Sequence, residues 1–169
     1  KLSEEVITRF RQEMKKRGST CQCIRCREIR KGKIDDRNLV LDDQVYKAGW
    51  AEEHFLSYNT QDDHILGFLR LSLPSANHFF PVEELQDAAI IREVHVYGQS
   101  VELGGESSGS VQHRGLGSSL IEKAAEIALS KGYRKLTVIS AVGTREYYAA
   151  RGFTLTDLYM VRDLRTEEN

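Results

Sequence analysis

Apolar residues Val6, Ile7, Phe10 and Met14 recur at helical spacing behind Ser3, and Lys15, Lys16, Arg17 and Gly18 close the run, which predicts a short basic amphipathic helix. From Leu39 the period changes to strands: Leu39 to Lys47, Ala51 to Tyr58 and Ile65 to Leu73, with Thr60-Gln61-Asp62-Asp63 turning a hairpin in an antiparallel meander. Pro74 and Pro81 mark a mixed segment. Ala88 to Tyr97, alternating from Ile91 onward, then reads as a central strand that Gly98 ends. A polar Gly/Ser loop leads into Gln112-His113-Arg114-Gly115-Leu116-Gly117 and a strong helix that buries Leu120, Ile121, Ala124, Ala125, Ile127 and Ala128, closed by Lys131-Gly132. Leu136 to Ser140 predicts a buried strand, Thr144 to Ala150 a short helix stopped by Gly152, and Phe153 to Val161 a last strand. The expected class is α/β (α+β), a mixed, mostly antiparallel sheet flanked by helices. Residues 1–34 form an appendage and residues 35–169 the main domain.

Length and composition narrow this picture. A chain of 169 residues, 40% hydrophobic, supports one well-buried core. No apolar run approaches the roughly 20 residues needed to span a bilayer, and no signal-peptide core follows Lys1. The expectation is a soluble, cytoplasmic protein with no membrane partner. Because the chain starts at Lys1 without an initiator methionine, it reads as a fragment of something longer. The overall charge of −1 hides an asymmetry, since residues 1–34 carry eleven Lys/Arg against four Asp/Glu. That basic end is a candidate polyanion contact.

Gln112-x-x-Gly115-x-Gly117 lies between a strand and a long helix. Backbone N–H groups at a helix N-terminus lack intrahelical partners and can converge on an anion. Glycine lets a pyrophosphate approach the backbone closely, Ser118 and Ser119 add hydroxyls, and Arg114 adds charge. Two glycines merely ending a loop is the plainer reading. A mononucleotide P-loop would need Gly-Lys-Ser/Thr, and a dinucleotide fingerprint would need three glycines with an acidic residue on the next strand; neither is present.

The Gln112–Gly117 pattern resembles the acetyl-CoA motif of GNAT acyltransferases. More specifically, Arg92 to Gly98, Gln112 to Gly117, Val142 to Tyr148 and the Cys-Ile-Arg-Cys-Arg-Glu stretch resemble the Elongator catalytic-subunit family. That resemblance implies a GNAT fold behind a zinc-binding linker. It also implies cleavage of acetyl-CoA in response to tRNA, the acetyl unit being joined to the wobble uridine in a radical-SAM domain that carries S-adenosylmethionine and a 4Fe-4S cluster and lies outside this chain. Partners so implied are tRNA, that radical-SAM domain, and accessory Elongator-type subunits or a homodimer. A protein lysine acetyltransferase and a non-enzymatic, zinc-stabilised RNA-binding module are the competing readings.

By the same resemblance, backbone N–H groups of Glu93, Val94, His95 and Val96 face the thioester carbonyl, where such donors stabilise an oxyanion. Tyr147 and Tyr148 are the candidate acids for the departing thiolate. Adjacent helical residues diverge by about 100°, so one of them should face the sulfur; Tyr148 is favoured, with Tyr147 packing or touching the other substrate. Packed or rim aromatics are the plainer alternative for both. His95 and His113 are candidate bases, Glu93 and Glu106 weaker ones. The cofactor-binding set is therefore Glu93 to Val96, Gln112, His113, Arg114, Gly115, Leu116, Gly117, Ser118, Ser119 and Tyr148.

Cys21-x-Cys23-x-x-Cys26 offers three soft ligands in one tight turn, which suits tetrahedral zinc with a fourth ligand from elsewhere. His54, His64 and His78 are candidates for that fourth position. An iron–sulfur cluster is the rival and unligated thiols the plain alternative. Arg25, Arg27, Arg30, Lys31 and Lys33, with Lys15 to Arg17 beside them, form a candidate phosphate-binding face for RNA.

Overall fold

Gly49 and Trp50 are the only residues between two nine-residue strands, β1 (Val40–Ala48) and β2 (Ala51–Asn59), and Gly49 takes the φ of 61° that so tight a reversal needs. A computed structural model describes residues 4–29, 38–97 and 115–165. β3 (Ile65–Pro74) returns antiparallel to β2, and its near-continuous apolar run is buried on both faces, as an inner strand requires. β4 (Ala88–Val96) pairs antiparallel with β3. Arg70 faces Glu93 while Leu71 faces Ile91, so Arg92 is the extra residue of a β-bulge that bends β4.

After α3 (Leu116–Ser130) the chain enters β5 (Lys135–Val138), which lies parallel to β4. A turn at Val142–Thr144 and the helix α4 (Arg145–Ala149) follow, then β6 (Thr154–Leu155) and β7 (Met160–Asp163). The seven-stranded sheet has the order β1-β2-β3-β4-β5-β7-β6, with β4–β5 its one parallel pair among the described residues. The mixed, mostly antiparallel sheet flanked by helices is thus observed. The single last strand expected over residues 153–161 is instead a hairpin of two short strands. Glu84 explains the interruption: its carboxylate accepts from the Thr156 hydroxyl and the Leu158 N–H, and Thr156 N bonds Tyr159 O across the turn.

The α3 stripe Gly117, Leu120, Ile121, Ala124, Ala125 and Ala128 is buried against Leu56, Leu69, Leu71, Ala89, Ile91, Leu136 and Val138. Small residues in that stripe bring the helix axis close to the sheet. Each fully buried Leu or Ile contributes about 1.5–3 kcal/mol.

Preceding the sheet are α1 (Glu4–Lys16) and α2 (Ile24–Arg27). α2 docks on the β2–β3 turn through Arg27, which donates from Nε to Asp63 O at 3.1 Å and from a terminal nitrogen to Asn59 Oδ1 at 3.1 Å, and pairs with the Asp63 carboxylate. Glu28 makes a parallel bridge to Ile65, and Ile29 N bonds Ile65 O. Arg27, expected on a phosphate-binding face, is therefore consumed by this docking, its side chain only 11% exposed. Lys16 and Arg17 pair with Glu13. Arg30, Lys31 and Lys33 lie outside the described residues.

Candidate functional site: an opening between two parallel strands

β4 and β5 are paired only from Ala88 to Ile91 against Lys135 to Val138. β5 stops there, whereas β4 runs on to Val96, held by β3 alone. The two strands therefore part, and an opening lies between them. Tyr97 N bonds Leu66 O on β3, so by antiparallel alternation His95 N also faces β3, while the N–H groups of Val94 and Val96 face the opening. Of the four backbone groups expected as donors, those of Val94 and Val96 thus point into the opening, and that of His95 does not. His95 extends from the sheet face opposite α3, stacked at 5.8 Å on Phe68 and tilted against Tyr97 at 4.9 Å. Glu93 is exposed.

The N-terminus of α3 faces the same opening. Gly115 is the residue before the helix, and Gly117 in its first turn is buried. A Cβ built at Gly117 would lie 3.5 Å from Val96 Cγ2 and under 3.0 Å from the Tyr147 hydroxyl oxygen, a separation real Cβ atoms do not show. A side chain here would have to displace the Tyr147 hydroxyl of α4, while its contact with Val96 of β4 would be an ordinary one, so packing disfavours a larger residue in addition to any ligand. Leu116 is half-buried. Ser118 Oγ accepts two hydrogen bonds from the Arg151 guanidinium, at 3.0 and 2.7 Å, which leaves its own proton free to donate. Ser119 Oγ lies 2.7 Å from the Tyr58 hydroxyl. Gln112, His113 and Arg114, with Glu106, lie outside the described residues.

The two tyrosines of α4 differ as adjacent helical residues should. Tyr148 is 8% exposed, its ring edge-on to Phe153 at 5.6 Å within the core. Its hydroxyl makes no hydrogen bond among the described residues, yet it is not one of the sealed, unpartnered side-chain atoms found among them, Glu53 Oε2 and Arg70 Nε. Tyr148 therefore has a fixed ring and an available tip. Tyr147 is 37% exposed, with its hydroxyl on Gly117 and its ring beneath Arg151 at 3.5 Å. Burial pushes both phenols above their ordinary value, so both stay protonated through neutral pH.

A split parallel pair with a glycine-bearing helix N-terminus behind it agrees with what sequence comparison finds: the profile of the acetyltransferase (GNAT) family matches residues 29–153. This chain belongs to the GNAT acetyltransferase family. Within that family it is similar to the tRNA uridine(34) acetyltransferase of Dehalococcoides mccartyi, 38% identical over 96% of this chain and 37% of that protein. It is also similar to Elongator complex protein 3 of Drosophila melanogaster, 39% identical over 92% of this chain and 29% of that protein. Among solved structures, the archaeal Methanocaldococcus infernus Elp3 superposes with a TM-score of 0.75 at 32% identity, covering 90% of this chain and 37% of that one. The chain thus spans about a third of the length of these relatives.

The GNAT match begins at Ile29, just after the cysteines. Cys21, Cys23 and Cys26 bring their sulfurs within 4.8 Å of one another, and Cys21 and Cys23 approach to 3.3 Å. Tetrahedral zinc with Zn–S near 2.3 Å sets sulfurs about 3.8 Å apart, so the triad fits such an ion with little movement. The hydrogen bond from Cys21 holds the Cys23 thiol below its ordinary value while Cys21 itself is raised, so the shift favours a thiolate at Cys23 and not at Cys21. Among the described residues no histidine joins the group. Both ring nitrogens of His54 are occupied, by Asp43 at 2.9 Å and Glu52 at 3.3 Å. His64 faces Asp62, and His78 is stacked on Trp50 at the far end of β2 from the docked α2.

Two residues that contact the first turn of α3 escaped the sequence reading, Arg151 on Ser118 and Tyr58 on Ser119. Arg151 lies in the turn just after α4, where its N–H bonds the Tyr148 carbonyl, so no helical spacing within the expected Thr144–Ala150 helix marked it. Tyr58 carried no mark either.

Proposed function

We propose that this chain is the acetyl-CoA-binding and acetyl-CoA-cleaving domain of an Elongator-type tRNA-modifying enzyme, supplying the acetyl unit for carboxymethylation of the wobble uridine. The observation that carries the reading is the opening between β4 and β5, into which Val94 N–H and Val96 N–H point while Gly117 of α3 lies beside it. The similarity to a tRNA uridine(34) acetyltransferase supports the substrate class. In this reading the pyrophosphate rests on the α3 N-terminus, with Gln112 to Gly117 forming the cradle and Ser118 and Ser119 adding hydroxyls. The thioester carbonyl meets the β4 donors, which favour the oxyanion over the ground state. Tyr148 hydrogen-bonds the departing thiolate, and Tyr147 forms the floor beside Gly117. His95 or His113 activates the attacking nucleophile.

Zinc on Cys21, Cys23 and Cys26 would hold the appendage together, and the basic segment around it would contact tRNA phosphates. In this reading S-adenosylmethionine and the 4Fe-4S cluster belong to the uridine chemistry of the radical-SAM domain outside this chain.

Thiol release from acetyl-CoA, followed with and without tRNA, tests the assignment. Release stimulated by tRNA supports it. Transfer to peptide amines without RNA would indicate a lysine acetyltransferase, and tRNA binding with no thioester cleavage a binding module. Tyr148→Phe should lower thiol release about tenfold or more while leaving acetyl-CoA affinity intact; an unchanged rate removes the phenol from the mechanism.

A further inference from the structure

We propose that Arg151 is a positioning residue that clamps α4 to the first turn of α3 and so sets Tyr147 and Tyr148 at the mouth of the β4–β5 opening. The inference rests on the acetyl-CoA reading of that opening. Arg151 Nε and one terminal nitrogen both donate to Ser118 Oγ, at 3.0 and 2.7 Å. The other terminal nitrogen donates to the Tyr147 carbonyl. The guanidinium plane covers the Tyr147 ring at 3.5 Å, a cation–π contact. Tyr147 in turn meets Tyr148 edge-to-face at 5.3 Å, and Tyr148 meets Phe153. A continuous run of contacts thus connects the helix that would hold the pyrophosphate to the phenol that would meet the sulfur.

A positive group beside a helix N-terminus invites the simpler idea that it binds a phosphate. The geometry favours a brace, because three of the five guanidinium N–H groups and one face of its plane are already engaged by Ser118 and Tyr147 of this chain. A phosphate-binding arginine presents its fork outward. What Arg151 presents instead is a planar, always-charged brace whose loss frees α4 to shift relative to α3. Misplacement of a reacting group by about 1 Å can cost about 100-fold in rate. β7 has a contact of its own with α3, since Arg162 pairs with Glu122 through two contacts of 2.8 Å.

The test compares the 169-residue chain with its Arg151→Ala and Arg151→Lys variants, measuring acetyl-CoA affinity by calorimetry, thiol-release kcat and KM, and thermal melting. Arg151→Ala should lower kcat by about 10- to 100-fold with KM and affinity within about twofold, and guanidinium at millimolar concentration should restore part of the lost rate. Arg151→Lys keeps the charge but lacks the fork, so it should fall between. If Arg151→Ala fails to fold, the lysine variant carries the comparison alone. Affinity lost with kcat unchanged would make Arg151 a phosphate ligand and overturn the proposal, as would variants equal to the parent. A parent chain that neither binds nor cleaves acetyl-CoA would instead sink the functional reading itself, and the positioning role with it.

Discussion

Replacing Gly117 by alanine separates the packing demand at this position from the ligand demand. A methyl group in the first turn of α3 gains up to about 1 kcal/mol of helix propensity. It also collides with the Tyr147 hydroxyl and reaches ordinary contact, 3.5 Å, with Val96 Cγ2. The tyrosine tip cannot swing aside freely, because its ring is held between Arg151 and Tyr148. Displacing it costs about 1–3 kcal/mol as overpacking, so Gly117→Ala should be net neutral to destabilising by about 2 kcal/mol. In a Tyr147→Ala background the obstacle is gone, and the same methyl should become neutral to stabilising. Urea unfolding of the parent, both single variants and the double variant measures a coupling energy, expected at about 1–3 kcal/mol. Additivity within about 0.5 kcal/mol, as for sites that do not touch, would refute the contact. Calorimetry adds the ligand side: if Gly117 lies under the pyrophosphate, Gly117→Ala and the double variant should both lose at least about tenfold in acetyl-CoA affinity. Affinity recovered in the double variant would mean that Tyr147 alone was responsible.

Arg27→Ala removes the brace between α2 and the β2–β3 turn and leaves Asn59 Oδ1 and the Asp63 carbonyl without their donor; a loss of about 1–3 kcal/mol is expected, read as faster tryptic cleavage in the appendage while the sheet domain resists. Cys23→Ser should release metal from the Cys21–Cys26 turn, detectable by elemental analysis against the parent; equal metal content in both would dismiss a thiolate site. The Asp163 carboxyl, held down to about 2 by hydrogen bonds from the Arg165 side chain and backbone, should titrate near there by NMR. Its folded value is depressed, so its contribution to stability is complete above the unfolded carboxyl value near 3.9 and disappears as pH falls toward about 2. In Arg165→Leu the resonance should return toward the ordinary value, and a titration left unmoved would assign the depression elsewhere.

The elements of this fold were legible where one period ran long enough to dominate: β1 to β4 by alternation and apolar runs, α3 by its Leu/Ile/Ala stripe. The last strand was misread because its interruption at Thr156 to Tyr159 depends on Glu84, which is distant in sequence. The opening itself was equally hidden from local pattern. Ile139 continues the apolar run of β5 as well as Val138 does, yet β5 ends at Val138 and Ile139 is exposed. What ends the strand is the departure of its neighbour, bent by the extra residue Arg92, and a bulge of that kind has no composition of its own.

The same distinction separates the site residues. Gly115 and Gly117 stand out because a helix that begins with glycines needs a reason, and backbone access to an anion is a familiar one. Arg151 does not stand out, because an arginine in the turn after a short helix is usually only solvated. Its partners Ser118 and Tyr147 are 33 and four residues away, and only the fold shows that both meet one guanidinium. Glycines at a helix start declare where a ligand can approach; which side chains hold the opposite wall at the right distance is settled by contacts between α3 and α4. For that reason the kcat of the Arg151 variants, with binding unchanged, would measure a part of the site that the acetyl-CoA motif does not contain.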